Sequence, residues 1–296
     1  MVGKMTCEKF GPRPIDYLPC RYGTSRTLYR GPRADLRGPY TLFLGGTETY
    51  GKFLRTPYPA LVQERLGVTS VNLGLVNGGP DVYLHDRTAT NLSLKAQATV
   101  MQVPTVQNLS NRYYSVHPRR NDRFLRASPV LRTIFRDVDF SEFHFTGHLM
   151  RHLQHQDDEM FLVLLVELRK AWVARMEDVI DRLAGPVILI WFDAHDCRND
   201  DGPDPLKVTH EMIEALRPKV QDILYAPAPA PAMGTAKGDH TDGMIFSPME
   251  ASAARQMLGL QAHIDLARIL SSALRDRVPG MPSRQTMPQN TPQTGR

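Results

Sequence analysis

The chain has 296 residues, 42% hydrophobic and 23% charged, a balance that excludes a disordered polar chain and allows a full hydrophobic core. No apolar run approaches the ~20 residues that a membrane-spanning helix needs, and the start MVGKMTCEKFGPRP has no apolar secretory segment. The three cysteines, Cys7, Cys20 and Cys197, form no CxxC pair, so the expectation is free thiols in a reducing cytoplasm.

Residues 1–38 are rich in Pro, Gly and Arg without a period, and read as an irregular arm. Regular alternation then begins. Tyr40–Leu44 is a short apolar run closed by Gly45 and Gly46, which suits a buried strand. Tyr58–Leu66 reads as a helix with Pro59 in its first turn and Gly67 as its stop. Thr69–Leu73 is a second strand, Asp81–Gln97 a weaker helix, and Ala98–Val103 a third strand. Residues 104–155 interrupt the rhythm and read as an insertion. From Asp157 to Ala184, Phe161, Leu165, Leu168, Trp172, Met176, Val179 and Leu183 form one apolar stripe at helical spacing, with Asp157 as its cap. Val187–Phe192 follows as a fully apolar strand of the kind found inside parallel sheets. A helix near Pro205–Leu216, a strand over Asp222–Tyr225 and a helix over Glu250–Arg277, broken at Gly259, complete the pattern. Residues 279–296 read as a disordered tail.

Alternating strands and helices predict one α/β domain over residues 39–278, a doubly wound parallel sheet of about five strands in flavodoxin-like order 2-1-3-4-5. In such sheets ligands bind at the carboxyl ends of the strands. The loops found there carry Thr47, Asn108, Asp193, His195, His240 and Asp242, a hydroxyl, an amide and His/Asp pairs of the kind used in acyl transfer. Helix capping by Thr47 and Asp193 is the competing reading.

The +5 charge is uneven. Arg21, Arg26, Arg30, Arg33 and Arg37 crowd the arm, and Arg112, Arg119, Arg120, Arg123, Arg126, Arg132 and Arg136 crowd the insertion. Guanidinium groups are good bidentate partners for phosphate and carboxylate, which points to an anionic small-molecule ligand. Pairing with Asp137, Asp139, Glu142 and Asp157 within the chain is the alternative. No nucleic-acid motif accompanies the charge, so nucleic acid is not the expected partner.

The segments FLGGTETYGKF, SVNLGLVNGGPDVYL, QNLSNRYYSVHPRRNDRFLRAS and DGMIFSPMEASAARQMLG resemble an uncharacterised bacterial family, a domain of unknown function, whose members in turn resemble degenerate SGNH hydrolases. The resemblance implies a three-layer α/β fold and an esterase-like site. Thr47 would take the nucleophile position, with Gly46 where the family has aspartate. Gly74 or Gly78 would supply the second-block backbone donor, and Asn108 the third-block amide. The last block falls on Met244–Pro248, where the family's Asp and His are absent, leaving His195 or His240 as substitutes. A hydroxyl without an imidazole lacks a general base. The expected function is therefore binding of an anionic or acylated ligand without ordinary Ser-His-Asp hydrolysis, through Gly45, Gly46, Gly74, Gly78, Lys52, Arg119, Arg120 and Asn121. An esterase or acyltransferase using Thr47 is the alternative.

Two further patterns compete. Gly46–Lys52 satisfies GxxxxGK, with Phe53 in place of the following Ser/Thr, and would make a phosphate loop for a nucleotide or sulfuryl donor. His144, His148, His152 and His155 recur at helical spacing. Their pattern is not a strong metal motif, and neither metal nor cofactor is expected.

Overall fold

The computed structural model describes residues 14–193, 205–227 and 241–281. Its elements in chain order are β1 (Tyr40–Leu44), α1 (Thr47–Tyr50), α2 (Tyr58–Leu66), β2 (Thr69–Asn72), α3 (Asp81–His85), α4 (Thr88–Ser93), β3 (Ala98–Gln102), β4 (Tyr114–His117), β5 (Arg120–Ala127) and α5 (Pro129–Ile134). There follow α6 (Thr146–Gln156), α7 (Asp158–Asp181), β6 (Val187–Asp193), α8 (His210–Leu216), β7 (Asp222–Pro227), α9 (Ala251–Ala254) and α10 (Leu260–Arg277).

Five strands form one parallel sheet in the order β2-β1-β3-β6-β7, and β4 and β5 form a separate antiparallel hairpin. The order is the expected one, with the reversal between β1 and β3. Because side chains alternate across a strand, a wholly apolar strand feeds two cores. Leu42, Leu44, Met101, Leu189 and Trp191 pack with Trp172, Met176 and Ile213 on one face, while Phe43, Val100, Ile188 and Ile190 pack with Val62, Leu66, Leu270 and Leu274 on the other. The sheet is therefore covered by helices on both sides, and its polar edges are the ends of its strands.

The long helix α7 buries the stripe read from its spacing, and Asp157 accepts a hydrogen bond from the Met160 amide as its cap. Two helices are shorter than the periodicity indicates. The Asp81–Gln97 stretch breaks into α3 and α4 because the Asp86 carboxylate turns back onto the Thr88 amide and hydroxyl, at 3.0 and 2.6 Å. The Pro205–Leu216 stretch becomes helical only at His210, where Thr209 caps it through the Met212 amide. The break at Gly259 is present, with α10 starting just after it.

Residues 104–157 hold the hairpin, α5 and α6. Residues 14–38 of the arm contain no helix, and a Cys20–Tyr29 backbone pairing folds them over the sheet, with Tyr22, Tyr29 and Arg30 buried. Residues 1–13 and 282–296 lie outside the described residues. Among those described, no helix is long and apolar enough to cross a membrane.

The start of α2 has no side-chain cap from its own segment. Instead the buried His263 of α10 accepts the Tyr58 amide at its Nδ1, 3.1 Å away. Burial, with a smaller contribution from Arg30, pushes the His263 pKa down to about 3. The unfolded chain takes up this proton near pH 6.5, so the contribution is complete above that pH and is lost as pH falls toward 3. Between pH 7.5 and pH 5 the loss amounts to about 2 kcal/mol. Urea unfolding of the wild type and of His263→Asn, which keeps an acceptor but cannot titrate, should differ by this amount in their pH dependence. Equal pH dependence would contradict the assignment.

Candidate functional site

β1 ends in a turn that has to be sharp, because α1 begins at Thr47. Gly45 has φ +157, and a Cβ there would fall 2.1 Å from the Thr49 hydroxyl, so no other residue fits. Buried side chains from three other elements hold the turn. Tyr83 of α3 accepts the Gly45 amide at 2.7 Å and donates toward the Gly45 and Leu73 carbonyls at 2.9 and 3.1 Å. Gln102 of β3 accepts from the Gly46 amide (2.9 Å), the Thr49 amide (3.2 Å) and the Thr49 hydroxyl (2.7 Å), and donates to Glu48 at 2.6 Å. Tyr58 of α2 reaches the Thr49 hydroxyl at 2.7 Å. Burial raises the pKa of Tyr58 and of Tyr83, so both stay neutral donors.

From the arm, Arg30 donates to the carbonyls of Tyr50, Gly51, Leu54 and Arg55 at 2.6–3.0 Å, and its guanidinium lies 5.0 Å from the centre of the Tyr17 ring. This arginine, grouped in the sequence with an anion-binding set, is a structural clamp.

Thr47 is 6% exposed and sits over the loop that follows β2. Its hydroxyl donates to the Asn77 side-chain oxygen at 3.1 Å and accepts the Asn77 amide at 3.0 Å. Asn77 has φ +53, a left-handed turn conformation that asparagine tolerates. Asn108 reaches the same residue from the loop after β3, donating to the Asn77 carbonyl at 3.4 Å, and accepts from the Thr146 hydroxyl of α6 at 2.7 Å. The Asn77 side-chain amide donates to Asp122 of β5 at 3.1 Å. Thr47, Asn77, Asn108 and Asp122 thus form one polar chain across the carboxyl edge of β1, β2 and β3. Gly79 closes the loop against Asn108, whose carbonyl would lie 1.8 Å from any Cβ at that position.

The structure alters several residue assignments made from the sequence. The Gly74 amide donates to the Asn72 side chain at 2.8 Å and the Gly78 amide to the Leu75 carbonyl at 2.9 Å, so both serve the loop itself. Asn121 does not face a ligand: it is fully buried, accepting the Gly79 and Val82 amides and donating to the His117 carbonyl. That one side chain docks the hairpin on the loop after β2. Asp242 lies exposed in a turn, with no bond to Thr47, Asn77 or Asn108 among the described residues. β6 runs to Asp193, whose side chain, with His195 and His240, lies outside the described residues.

The phosphate-loop reading of Gly46–Lys52 is overturned. The Gly46 and Thr49 amides go to Gln102, those of Tyr50, Gly51 and Lys52 go to carbonyls of the same turn, and the Lys52 ammonium lies over the Phe53 ring at 4.6 Å. A phosphate cradle needs those amides free. Of the histidine series, His144 precedes α6, while His148, His152 and His155 share one face of it, His148 and His152 flanking the Phe143 ring at 4.9 and 5.0 Å.

Beside the polar chain opens a cleft of about 690 Å³ lined by Arg26, Tyr50, His117, Arg119, Arg120 and Arg123, among others. Arg119 sits at the hairpin tip, where its amide donates to the His117 ring at 3.2 Å. None of Arg26, Arg119 and Arg120 has a carboxylate within ion-pairing distance among the described residues. The acids expected as their partners lie elsewhere, with Asp139 bonded to Ser141 and Asp157 capping α7.

A family model described as a domain of unknown function (DUF6473) matches residues 5–278. The chain belongs to that family. No curated protein matches it. Among solved structures, it is similar to a lipase/acylhydrolase from Enterococcus faecalis, at 12% identity and TM-score 0.42, over 83% of this chain and 100% of that one. A catalytic mutant of Axe2, an acetylxylan esterase from Geobacillus stearothermophilus, aligns at 13% identity and TM-score 0.40, over 81% and 94% of the two chains. A carbohydrate esterase family 2 enzyme from Corynascus thermopiles aligns at 11% identity and TM-score 0.42, over 85% and 70%. At such TM-scores this chain's own geometry has to carry the functional reading.

Among the residues holding the site, Gln102 satisfies the most buried donors. Leu in its place leaves the Gly46 and Thr49 amides and the Thr49 hydroxyl without that acceptor, a cost of about 2–4 kcal/mol. Denaturant unfolding of Gln102→Leu should show a loss in that range; a change under about 0.5 kcal/mol would mean the turn is held otherwise.

Proposed function

We propose that this protein is an SGNH-like domain that binds an anionic or acylated ligand, such as a saccharide derivative, at the carboxyl edge of its sheet, without Ser-His-Asp hydrolysis. One observation carries the reading. The hydroxyl at the nucleophile position uses both its proton and an acceptor site on Asn77, and the Asn108 and Gly74 donors are likewise engaged within the chain. A catalytic serine works because a base takes its proton and preorganised donors await the developing charge. Here those positions are held by Asn77 and Asn72, while beside them Arg26, Arg119 and Arg120 have no carboxylate at ion-pairing distance among the described residues. The arrangement supports recognition more than turnover. The sheet order and the place of Thr47 at the first strand's end support the SGNH-like reading, and the cysteine usage favours a cytoplasmic setting.

Ester or acyl transfer by Thr47 is the second reading, favoured by the Thr47–Asn77–Asp122 chain, which brings a carboxylate to one residue's remove from the hydroxyl. A fluorophosphonate probe and p-nitrophenyl acetate separate the two. The binding reading expects no covalent labelling and no hydrolysis beyond the rate with buffer. Labelling or turnover that vanishes in Thr47→Ala, with the thermal midpoint unchanged, would establish the enzyme instead.

A further inference from the structure

The arginine cleft does not end at the hairpin. Arg26, Thr27 and Arg119 also line a second cavity, of about 620 Å³, so the two adjoin at those residues. The linings differ in kind. The first presents Arg26, Arg119, Arg120, Arg123 and His117. The second shares Arg26 and Arg119 and adds the uncharged polar residues Thr24, Ser25, Thr88 and Asn91, with Asp86 and Arg87 beside them. Its wall is firm. The Ser25 and Thr88 hydroxyls and the Tyr29 hydroxyl all converge on Asp86, tying the arm to the junction of α3 and α4. Burial works to raise the Asp86 pKa, but the donors around it outweigh burial and hold it below the ordinary range.

Each half has a chemical preference. Several guanidinium groups around one cleft repel one another, and an anion relieves that repulsion. Three or more forks also offer more donors than a single carboxylate has oxygens to accept, whereas the three free oxygens of a sulfate or phosphate monoester suit them. Uncharged hydroxyl and amide groups lining a cavity suit a neutral ring bearing hydroxyls. Asp122, between Arg120 and Arg123 in the sequence, is turned to the Asn77 side-chain amide at 3.1 Å instead.

We infer that the two cavities form one bipartite site for an oligosaccharide bearing sulfate or phosphate ester groups, with the ester held by Arg119, Arg120 and Arg26 and a neutral sugar ring held beside Asn91 and Thr24. The inference rests on the ligand-binding reading above and gives its ligand a class. The ester group is bound, and no bond is made or broken in it.

The test is calorimetric titration of the full chain at 150 mM salt with four probes: a sulfated heparin tetrasaccharide, its desulfated counterpart, glucose 6-phosphate and an oligothymidylate of similar charge. A charged saccharide, sulfated or phosphorylated, should bind at least tenfold more tightly than the desulfated one. Which of the two binds identifies the ester. Arg119→Ala and Arg120→Ala should each weaken that binding at least tenfold. Exposed Asn91→Leu should weaken tetrasaccharide or sugar phosphate binding several-fold while leaving inorganic sulfate and phosphate competition unchanged. Oligothymidylate binding as tight as that of the charged saccharides would overturn the proposal in favour of a nucleic-acid surface, and insensitivity to Asn91→Leu would overturn its bipartite form. Binding of the desulfated tetrasaccharide as tight as that of the charged saccharides, and insensitive to both arginine variants, would overturn the ester site while leaving the ligand-binding reading intact. Thr47-dependent ester turnover is a separate result and bears on that earlier reading alone.

Discussion

A parallel strand that ends in a buried edge has to turn without leaving amides unsatisfied, and this protein meets that constraint at Gly45 and Gly46 with side chains drawn from elsewhere. Gln102 comes from the neighbouring strand, Tyr83 from α3, Tyr58 from α2 and Arg30 from the arm. Each is desolvated, and each would be costly to bury without its partner. The turn therefore positions α1, and α1 positions Thr47 over Asn77. Fixing one edge of the sheet in this way fixes the relation among β1, the loop after β2 and the arm.

The hairpin and α6 are attached to that edge by polar clasps. Asn121 binds the hairpin to Gly79 and Val82, and Thr146 binds α6 to Asn108. These clasps explain how a long interruption between β3 and α7 can present arginines beside the first strand. They also make struts of the polar residues at that edge, Thr146 and Asn121 among them. A buried amide or hydroxyl that is already satisfied offers little to a developing oxyanion, whereas an exposed guanidinium without a carboxylate still has its full capacity for an anion. Charge that the fold leaves unpaired is in this sense the informative part of the surface.

Much of the architecture was legible in the pattern of residues. The apolar runs Tyr40–Leu44 and Val187–Phe192, the stripe on α7 and the stop at Gly259 each encode a local period or a local break. Where reading by period failed, a short-range polar competitor was the cause, as at Asp86, whose carboxylate captures Thr88 and splits one expected helix into two. The GxxxxGK pattern misled because a motif states residue types and not the direction of amides. In the folded chain those amides point to Gln102 and to carbonyls of their own turn.

The sequence by itself determined the class of fold, the order of its strands and the edge where polar loops collect, because these follow from the spacing of apolar residues and from glycine at strand ends. Tertiary structure alone decided that Asn77, Gln102, Tyr83 and Thr146 belong to the site, that Asn121 is a buried clasp, and that Arg30 is a clamp while Arg26, Arg119 and Arg120 have no carboxylate partner among the described residues. The physical reason is that a hydrogen bond or an ion pair is a contact between residues distant in the chain. Its partner has no fixed spacing, so the fate of a polar side chain is settled only when the elements pack.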